Sequence, residues 1–366
     1  MVLQEIINAL EAEAPLNYQE SYDNSGLQVG DRSMSISGIL VSLDVTEAIL
    51  EEAKQRNCNL IVAHHPLIFS GLKSLTGKSY VERIVTQAIK NDIAIYAIHT
   101  NLDNMLHGVN AKISERLSLK NTRILAPVSN KLSKLFTYVP LNFMEQVKQA
   151  LFNAGAGEIG AYSECSFSMI GVGSFKPDSF SNPTIGKAGG KREMLMEQKL
   201  EVLVPADKIT NVLNALKAAH PYEEVAYEII ALQNQYQEIG AGMIGDLEKP
   251  MKPLAFLDYL KIQMKTDCIR YTALPEKLIS KIAVCGGSGS FLLQQAIVAK
   301  ADVFITGDYK YHHFFDADNK IVIADIGHYE SEQFTKELIV DILNKKFPNF
   351  ATLLTDLSTN PIKYFC

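Results

Sequence analysis

The stretch Asn59-Leu60-Ile61-Val62-Ala63-His64-His65-Pro66 decides how this chain folds. Its run from Leu60 to Ala63 is apolar at every position, which is typical of a strand buried on both faces of a parallel sheet. Two histidines follow at the carboxyl end, and Pro66 ends the strand because proline has no backbone N–H to donate. Ligand sites of open α/β sheets lie at that edge, so the stretch predicts a strand with a site at its tip.

The two histidines permit more than one arrangement. Neighbouring residues of a regular strand point to opposite faces, so His64 and His65 would bind two separate ions. They would bind one ion if the chain turned at Pro66. A third interpretation is a histidine pair that caps a strand within a polar loop. The pair alone does not choose among the three.

Composition narrows the class of protein. The chain has 366 residues, enough for two or three domains of ordinary size. Its net charge of −6 argues against a protein that binds nucleic acid by neutralising phosphates. The five cysteines are scattered, which argues against a disulfide framework or a thiolate zinc site. Segment 1–16 lacks a signal-peptide pattern and no apolar run of about 18 residues occurs, so we expect a cytoplasmic protein without a membrane span.

The two ends of the chain repeat one order of predicted elements. Each shows a strand, a helix, a strand with a polar tip, a helical segment and another strand with a polar tip. The strands are predicted at 38–43, 60–63, 93–98, 281–285, 302–306 and 321–325. This order is typical of α/β folds. We infer two pseudo-equivalent α/β lobes with mainly parallel sheets, whose strand ends face one cleft.

The middle of the chain has a different order, which predicts a ferredoxin-like βαββαβ insert. Its strands are predicted at 135–139, 165–173, 199–204 and 225–232, and its helices at 142–154 and 206–219. The predicted domains are therefore a first α/β lobe over 1–128, the insert over 129–235 and a second α/β lobe over 236–366.

Histidines and carboxylates at the strand tips predict a metal site. His328 and Glu332 are four residues apart at the start of a predicted helix, so they share one face. Asp103 lies in a polar tip, as do His64 and His65. Imidazole and carboxylate ligands without thiolate fit zinc, iron, manganese or nickel. Five groups exceed one tetrahedral zinc, and they suit two ions that share a carboxylate, with a metal-bound hydroxide as the nucleophile of a hydrolase. A solvated His–Glu pair and a turn aspartate are the ordinary alternatives.

Other residues near the predicted site are weaker candidates. Those for a general acid or base are His99 and His313. Those for contacting phosphates are Gly287, Ser288, Lys310 and His312. The glycine segment 286–289 lies between a strand and a helix, where backbone amides can bind an anion. It lacks the Walker lysine and the full dinucleotide fingerprint, so a tight turn is the alternative.

Several stretches, in order along the chain, resemble the Nif-three-like dinuclear metal-centre family, whose members are often labelled type-two GTP cyclohydrolase I homologues. They are Asp23-Asn24-Ser25-Gly26-Leu27, Leu43-Asp44-Val45-Thr46, Ala63-His64-His65-Pro66-Leu67-Ile68-Phe69, His99-Thr100-Asn101-Leu102-Asp103, Cys285-Gly286-Gly287-Ser288-Gly289, Thr306-Gly307-Asp308 and Gly327-His328-Tyr329-Glu330-Ser331-Glu332. The insert, with His220-Pro221-Tyr222-Glu223-Glu224, resembles the PII/CutA-like insert of the longer bacterial members. Tyr22 stands where the family's tryptophan is expected.

The resemblance implies a centre of two divalent ions, zinc or iron first and manganese or nickel as alternatives. The implied ligands are His64, His65, Asp103, His328 and Glu332. In the implied arrangement His65 and Asp103 bind one ion, His64 and His328 bind the other, and Glu332 bridges them. The resemblance also implies a homohexamer, a trimer of dimers in which inserts meet at the ends.

The implied activity is hydrolytic opening of the guanine ring of GTP, with a nucleotide or another small molecule as substrate. A dinuclear phosphoesterase is the alternative enzyme, because paired metals also suit phosphoryl transfer. A non-catalytic, metal-stabilised scaffold or regulator with a protein partner is the alternative outside enzymes.

Overall fold

The computed structural model describes residues 1–365, which form a mixed α/β fold. The chain divides into two compact units. One combines residues 1–127 with the described residues from 238 onward, and the other comprises residues 128–237.

The strands and helices follow one another along both units. The strands are β1 (Gly26–Val29), β2 (Ile39–Ser42), β3 (Leu60–Ala63), β4 (Ala94–Ala97), β5 (Lys120–Ser129), β6 (Leu132–Pro140), β7 (Ser166–Phe175), β8 (Glu193–Pro205), β9 (Tyr227–Leu232), β10 (Gln235–Met251), β11 (Arg270–Tyr271), β12 (Ile279–Ser288), β13 (Val303–Gly307), β14 (Val322–Asp325) and β15 (Thr352–Leu354). The α-helices are α1 (Leu3–Glu13), α2 (Glu47–Gln55), α3 (Tyr80–Lys90), α4 (Thr100–Asp103), α5 (Val109–Arg116), α6 (Met144–Asn153), α7 (Ile209–Ala219), α8 (Pro253–Met264), α9 (Leu293–Val298), α10 (His328–Glu332) and α11 (Thr335–Lys346). Short 3-10 helices lie at Leu16–Tyr18, Leu141–Phe143, Ser290–Leu292 and Tyr311–Ala317.

The histidine strand β3 lies inside the first sheet, whose order is β1-β4-β3-β2-β15. It pairs in parallel with β2 and β4, so that Val62 stands between Val41 and Tyr96. All four residues of β3 are fully buried, as its unbroken apolar run predicts. The first strand, β1, adds to this sheet antiparallel to β4.

The second sheet has the order β11-β14-β13-β12-β10-β5. Strands β12, β13 and β14 run parallel, β10 pairs antiparallel with β12 and β11 with β14, and β5 lies beyond β10 at the edge. One hydrophobic core contains residues of both sheets and of the helices between them, among them Leu10, Val62, Ile113, Ile282 and Ile339. This shared core holds the strand tips of the two sheets in a fixed relation, which matters for the site described below.

The carboxy-terminal helix differs from its prediction. The sequence predicts one helix over 329–345, and the structure has two, α10 and α11, separated by Gln333 and Phe334. Phe334 is buried, and the guanidinium carbon of Arg116 lies 4.2 Å from the centroid of its ring. The break leaves α10 as a short helix that carries His328 at its first position and Glu332 at its last.

The second unit contains an antiparallel sheet of order β7-β8-β6-β9. Along the chain its elements run β6, α6, β7, β8, α7 and β9. The two helices pack on one face of the sheet, with Val147 and Leu216 in a core with Leu135 and Leu200. Segment 176–192 joins β7 to β8 without a helix or strand.

Membrane-spanning helices and the state of the cysteines both bear on the class of the protein. Among residues 1–365, no helix has both the length and the apolar character needed to cross a bilayer. Cys58, Cys165, Cys268 and Cys285 are free thiols. The fifth cysteine, Cys366, lies outside the described residues.

Candidate metal centre

Polar side chains gather where the strands of both large sheets end. β2 leads to Asp44, β3 to His64 and His65, β4 to His99 and Asp103, β13 to Asp308, and β14 to His328 and Glu332. Because the strands run parallel within each sheet, these tips lie at one edge, where ligands of open α/β sheets bind. The five ligands implied by the sequence, His64, His65, Asp103, His328 and Glu332, lie together there.

Each of the three cluster histidines is held through its Nδ1 atom. His64 Nδ1 lies 2.8 Å from the carbonyl oxygen of Ile98, and His65 Nδ1 lies 2.7 Å from Asp44 Oδ1. His328 Nδ1 lies 2.7 Å from Asp308 Oδ2. An imidazole that donates from Nδ1 to such an acceptor keeps its Nε2 lone pair for a metal. All three Nε2 atoms face the cluster.

The Nε2 atoms converge on the carboxylate of Glu332. His65 Nε2 is 2.9 Å and His328 Nε2 is 3.1 Å from Glu332 Oε2. His64 Nε2 is 3.9 Å from the other oxygen, Oε1, and 3.5 Å from Asp103 Oδ1. Three groups of side chains could hold a metal ion: His65 and His328 with Glu332, His64 and Asp103 with Glu332, and His64 and His65 with His99.

The two groups that contain Glu332 differ from the pairing that the family resemblance implies. That pairing puts His65 with Asp103 and His64 with His328. In the structure, His65 Nε2 lies 3.4 Å from His328 Nε2, while His64 lies beside Asp103. The cause is the opposite facing of adjacent residues at the end of β3, which directs His64 toward the tip of β4 and His65 toward the second sheet. The two imidazole rings nevertheless remain close, with centroids 4.8 Å apart.

Unpaired atoms in the cluster fit a cation. Within residues 1–365, His64 Nε2 and Asp103 Oδ1 are buried polar atoms without a hydrogen-bond partner. Buried polar atoms are nearly always satisfied, by protein, by water or by an ion. Imidazole and carboxylate ligands at this spacing match zinc, iron, manganese or nickel, so the residues present fit a metal ion.

The electrostatics of the cluster lead to the same conclusion. Burial would lower the pKa of His65, yet the hydrogen bonds with Asp44 and Glu332 raise it to about 10. The pKa of His328 is raised to about 9, against the effect of burial, by Glu332 and Asp308. Burial and the nearby charge of Glu332 raise the pKa of Asp103 to about 7. Carboxylates crowded this closely attract positive charge, which protons or a divalent cation can supply.

Gly287 provides the room that Glu332 occupies. Its φ is +62°, and a Cβ atom built on it would lie 2.5 Å from Glu332 Oε1 and 3.2 Å from His328 Cε1. A side chain at this position would therefore collide with the two ligands of α10. Gly287, near the end of β12, therefore packs directly against the side chains of His328 and Glu332.

His99 lies beside the cluster rather than among the five implied ligands. Its ring centroid is 5.3 Å from that of His64 and 5.4 Å from that of His65. His99 Nδ1 lies 2.8 Å from Asp23 Oδ1, and Asp23 also accepts hydrogen bonds from Thr100 and Ser25. Burial opposes ionisation of Asp23, but these hydrogen bonds and the imidazole hold its pKa well below its usual range.

A cavity of about 610 Å³ opens beside the cluster. His65, Asp103, His328, Glu332 and His99 line it, and so does Ser288. The other weaker candidates on the second sheet, Lys310, His312 and His313, lie between β13 and the end of the following 3-10 helix. None of these three lines the cavity in the described part of the chain.

The residues that hold the ligands were not identified from the sequence as parts of the site. Thr46 caps α2 by accepting from the amide of Ile49, whereas Asp44, two residues earlier, pairs with His65. Asp308 follows β13 directly, with a φ of +56°. Both aspartates lie at strand tips, so the rule that located His64 and His65 could also have located them.

Comparison with known proteins shows the family of the chain. A family model described as Duf34/NIF3 (NGG1p interacting factor 3) matches residues 1–361. The chain belongs to the Duf34/NIF3 family. The family resemblance read from the sequence motifs is thereby confirmed.

Other Duf34/NIF3 proteins match along the whole chain. A Bacillus subtilis protein named GTP cyclohydrolase 1 type 2 homolog is 38% identical over 367 residues, which cover 99% of this chain and 98% of that protein. A Staphylococcus epidermidis protein of the same name is 36% identical and covered completely, as is this chain. A solved Bacillus cereus protein related to NIF3 has a TM-score of 0.87 and 36% identity, covering 100% of this chain and 99% of its own. A solved Staphylococcus aureus protein has a TM-score of 0.78 and 28% identity, with the same coverage.

Proposed function

We propose that this Duf34/NIF3 protein is a metal-dependent hydrolase that binds two divalent ions and acts on a guanine nucleotide or a compound derived from one. One observation carries the proposal: three imidazole Nε2 atoms and two carboxylates, from both large sheets, converge beside an open cavity. The name of the relatives, GTP cyclohydrolase 1 type 2 homolog, suggests the class of substrate and reaction.

The distances support one assignment of the proposed ligands to the two ions. His64 and Asp103 would hold one ion with Glu332 Oε1, and His65 and His328 would hold the other with Glu332 Oε2. Zinc or iron suits this set of ligands best. When bound, paired divalent ions lower the pKa of water toward neutrality and stabilise negative charge that develops on the attacked group.

The chain's own residues orient the ligands and move protons. Asp44, Asp308 and the carbonyl of Ile98 fix the three imidazoles, so each Nε2 lone pair stays directed into the cluster. His99 donates from Nδ1 to the buried Asp23, which leaves its Nε2 to accept a proton at the cavity wall. Burial of Glu332, whose side chain is 3% exposed, keeps water from competing for its oxygens.

The second unit supports an assembly role. Its strand–helix–strand–strand–helix–strand order, with sheet order β7-β8-β6-β9, supports the predicted ferredoxin-like insert. Phe167, Met169 and Ile230 are more than half exposed on this sheet. Apolar surface of this kind commonly marks a protein interface, which supports the predicted homohexamer. Light scattering of the purified full chain checks that prediction.

The hydrolase proposal is tested on full-length protein loaded anaerobically with zinc or with iron, with metal content measured by elemental analysis. Ultraviolet absorbance follows ring opening and a phosphate assay follows phosphoester cleavage. Glu332→Gln and His64→Ala should each abolish turnover, and His107→Ala, at an exposed histidine outside the cluster, should retain it.

Two results would contradict the proposed hydrolase activity. Turnover that survives in Glu332→Gln would come from another site or a contaminant. A fully metal-loaded protein that turns over no guanine compound would instead favour the non-catalytic scaffold.

A further inference from the structure

The cavity beside the metal cluster has a particular set of ionisable groups. These are the carboxylates of Glu20, Asp103 and Glu332, the imidazoles of His65, His99 and His328, the Tyr22 phenol and the Cys285 thiol. Lysine and arginine do not occur among its described lining residues. Apart from imidazoles, positive charge next to a substrate would therefore come from ions held by the cluster.

Three of the four backbone amides of the glycine segment 286–289 are already engaged within the protein. Gly286 N donates to Asn110 Oδ1 at 3.0 Å, and Gly287 N donates to Ser331 Oγ at 2.9 Å. Gly289 N donates to Thr306 Oγ1 at 2.9 Å. Loops that bind phosphates present several amide hydrogens to the anion. These three amide hydrogens already have acceptors within the protein, so they are not free to bind an anion.

Aromatic rings stand at the wall of the cavity. Tyr22 and Phe69 lie with ring centroids 6.4 Å apart and planes at 40°, and Phe291 lies on the side of the second sheet. The three residues are 63%, 50% and 64% exposed, respectively. Exposed rings beside a polar centre suit a flat, aromatic ligand. Heterocycles with different substituents stack on such rings, because each has an aromatic face.

Glu20 adds a fixed hydrogen-bond acceptor to this wall. Its Oε1 accepts from Asn104 Nδ2 at 3.1 Å, and its backbone amide donates to Thr100 Oγ1 at 2.9 Å. Asn104 is buried and also donates to the carbonyl of Tyr18, which fixes its position. An ionised carboxylate only accepts hydrogen bonds, so Glu20 favours a ligand edge with N–H donors, such as that of guanine, and repels phosphates.

We propose that the cavity takes a planar, N–H-bearing heterocycle with at most one phosphate, and that Glu20 determines this preference. The ligand would be a nucleobase, nucleoside or nucleoside monophosphate in preference to a triphosphate. One phosphate, with a charge of about −1.5 to −2 at pH 7, can lie against the ions of the cluster. Each further phosphate would add negative charge within a cavity whose described lining has carboxylates, among them Glu20 and Asp103, and no cationic Lys or Arg side chain. The inference rests on the proposed function, since it concerns the substrate of the same centre.

The test is calorimetric binding of guanosine, GMP, GDP and GTP to metal-loaded, full-length protein, with metal content measured before and after each titration. We expect guanosine and GMP to bind, and GTP to bind at least about tenfold more weakly than GMP. A GTP affinity equal to or above that of GMP overturns the proposal, and so does the absence of binding by both guanosine and GMP.

Two variants test the residues that carry the argument. Glu20→Gln should weaken guanosine binding and narrow the difference between GMP and GTP, while the control Glu51→Gln, at an exposed helix position, should change neither. Ser288→Lys would add a cation at an exposed position of the lining and should raise GTP affinity by about tenfold relative to GMP. If Glu20→Gln leaves both the guanosine affinity and the GMP-to-GTP ratio unchanged, Glu20 does not set the preference.

Turnover of the same compounds separates this inference from the proposed hydrolase. Binding of guanosine and GMP without turnover would contradict the proposed hydrolase activity and support the proposed class of ligand. A larger kcat/KM for GTP than for GMP and guanosine would retain the hydrolase and overturn the ligand class.

Discussion

His65 Nε2 lies 2.9 Å from Glu332 Oε2, although 267 positions separate the two residues in the chain. His65 follows β3 of the first sheet, and Glu332 is the last residue of α10, which follows β14 of the second sheet. The cluster therefore forms only when both sheets pack on their shared core. Binding of a metal ion would consequently indicate that the larger unit is folded.

The carboxylate behind His65 should tune metal affinity. Asp44→Asn removes the charged acceptor of His65 Nδ1, which lies 2.7 Å away, without altering a ligand. Loss of such an outer partner typically lowers metal affinity by about 10–100-fold, and we expect that range here. Competition with a chelating dye measures it. The control is Asp318→Asn, at an exposed aspartate paired with Lys320; equal losses in the two variants would contradict the role of Asp44.

Metal binding should release protons near neutral pH. The pKa of His65 is raised to about 10 and that of His328 to about 9, so both imidazoles are protonated at pH 7 without an ion. A metal ligand must be deprotonated, so binding should expel about two protons from the imidazoles, and Asp103, whose pKa is raised to about 7, should add about half a proton. The number should fall as pH rises through these pKa values. Titrations in buffers of different ionisation enthalpy give the count, and a pH-independent heat free of buffer effects would contradict the prediction.

Gly287→Ala should damage both stability and metal binding. The new Cβ would lie 2.5 Å from Glu332 Oε1, at a backbone φ of +62°. Strain of this kind costs about 1–3 kcal/mol, and displacement of Glu332 should also lower metal content. Denaturant unfolding of metal-free protein measures the first effect and elemental analysis the second. Gly71→Ala is the matched control, because its added Cβ meets no atom within 4 Å. A Gly287→Ala protein as stable and as metal-rich as Gly71→Ala would refute the packing argument.

Asp302 should make the second sheet sensitive to acid. Burial opposes its ionisation, yet Lys277 and the amides of Ser280 and Lys281 hold the pKa of Asp302 below its ordinary value. A lowered native pKa stabilises the fold above the unfolded pKa, and that stability is lost as pH falls through the native one.

At pH 7, Asp302→Asn should therefore lower the free energy of unfolding by about 1–2 kcal/mol, and the difference should vanish below about pH 3. Urea unfolding across pH measures this change. Asp341→Asn, at a mostly exposed aspartate, serves as the control. A difference that persists undiminished at pH 3 would show that ionisation of Asp302 is not its source.

The sequence located the candidate metal ligands better than the side chains that orient them. An unbroken apolar run followed by His64 and His65 sufficed to predict a buried parallel strand with a polar tip, since burial and strand ends are local properties. The i, i+4 spacing of His328 and Glu332 likewise predicted one shared face, although the helix that carries them is shorter than expected. Gly287 was a weak phosphate candidate because a pattern of glycines does not reveal which neighbour occupies the space they leave.

Residue order established the α/β class, the positions of the central strands, the family and the set of side chains that meet at the strand tips. The folded chain was needed to learn that His64 lies with Asp103 and His65 with His328, and that Asp44 and Asp308 hold the imidazoles. The physical reason for this difference is that hydrophobic periodicity and the ends of strands depend on residues that are neighbours along the chain. Distances among side chains from two sheets depend on how those sheets pack, and no local pattern encodes that packing.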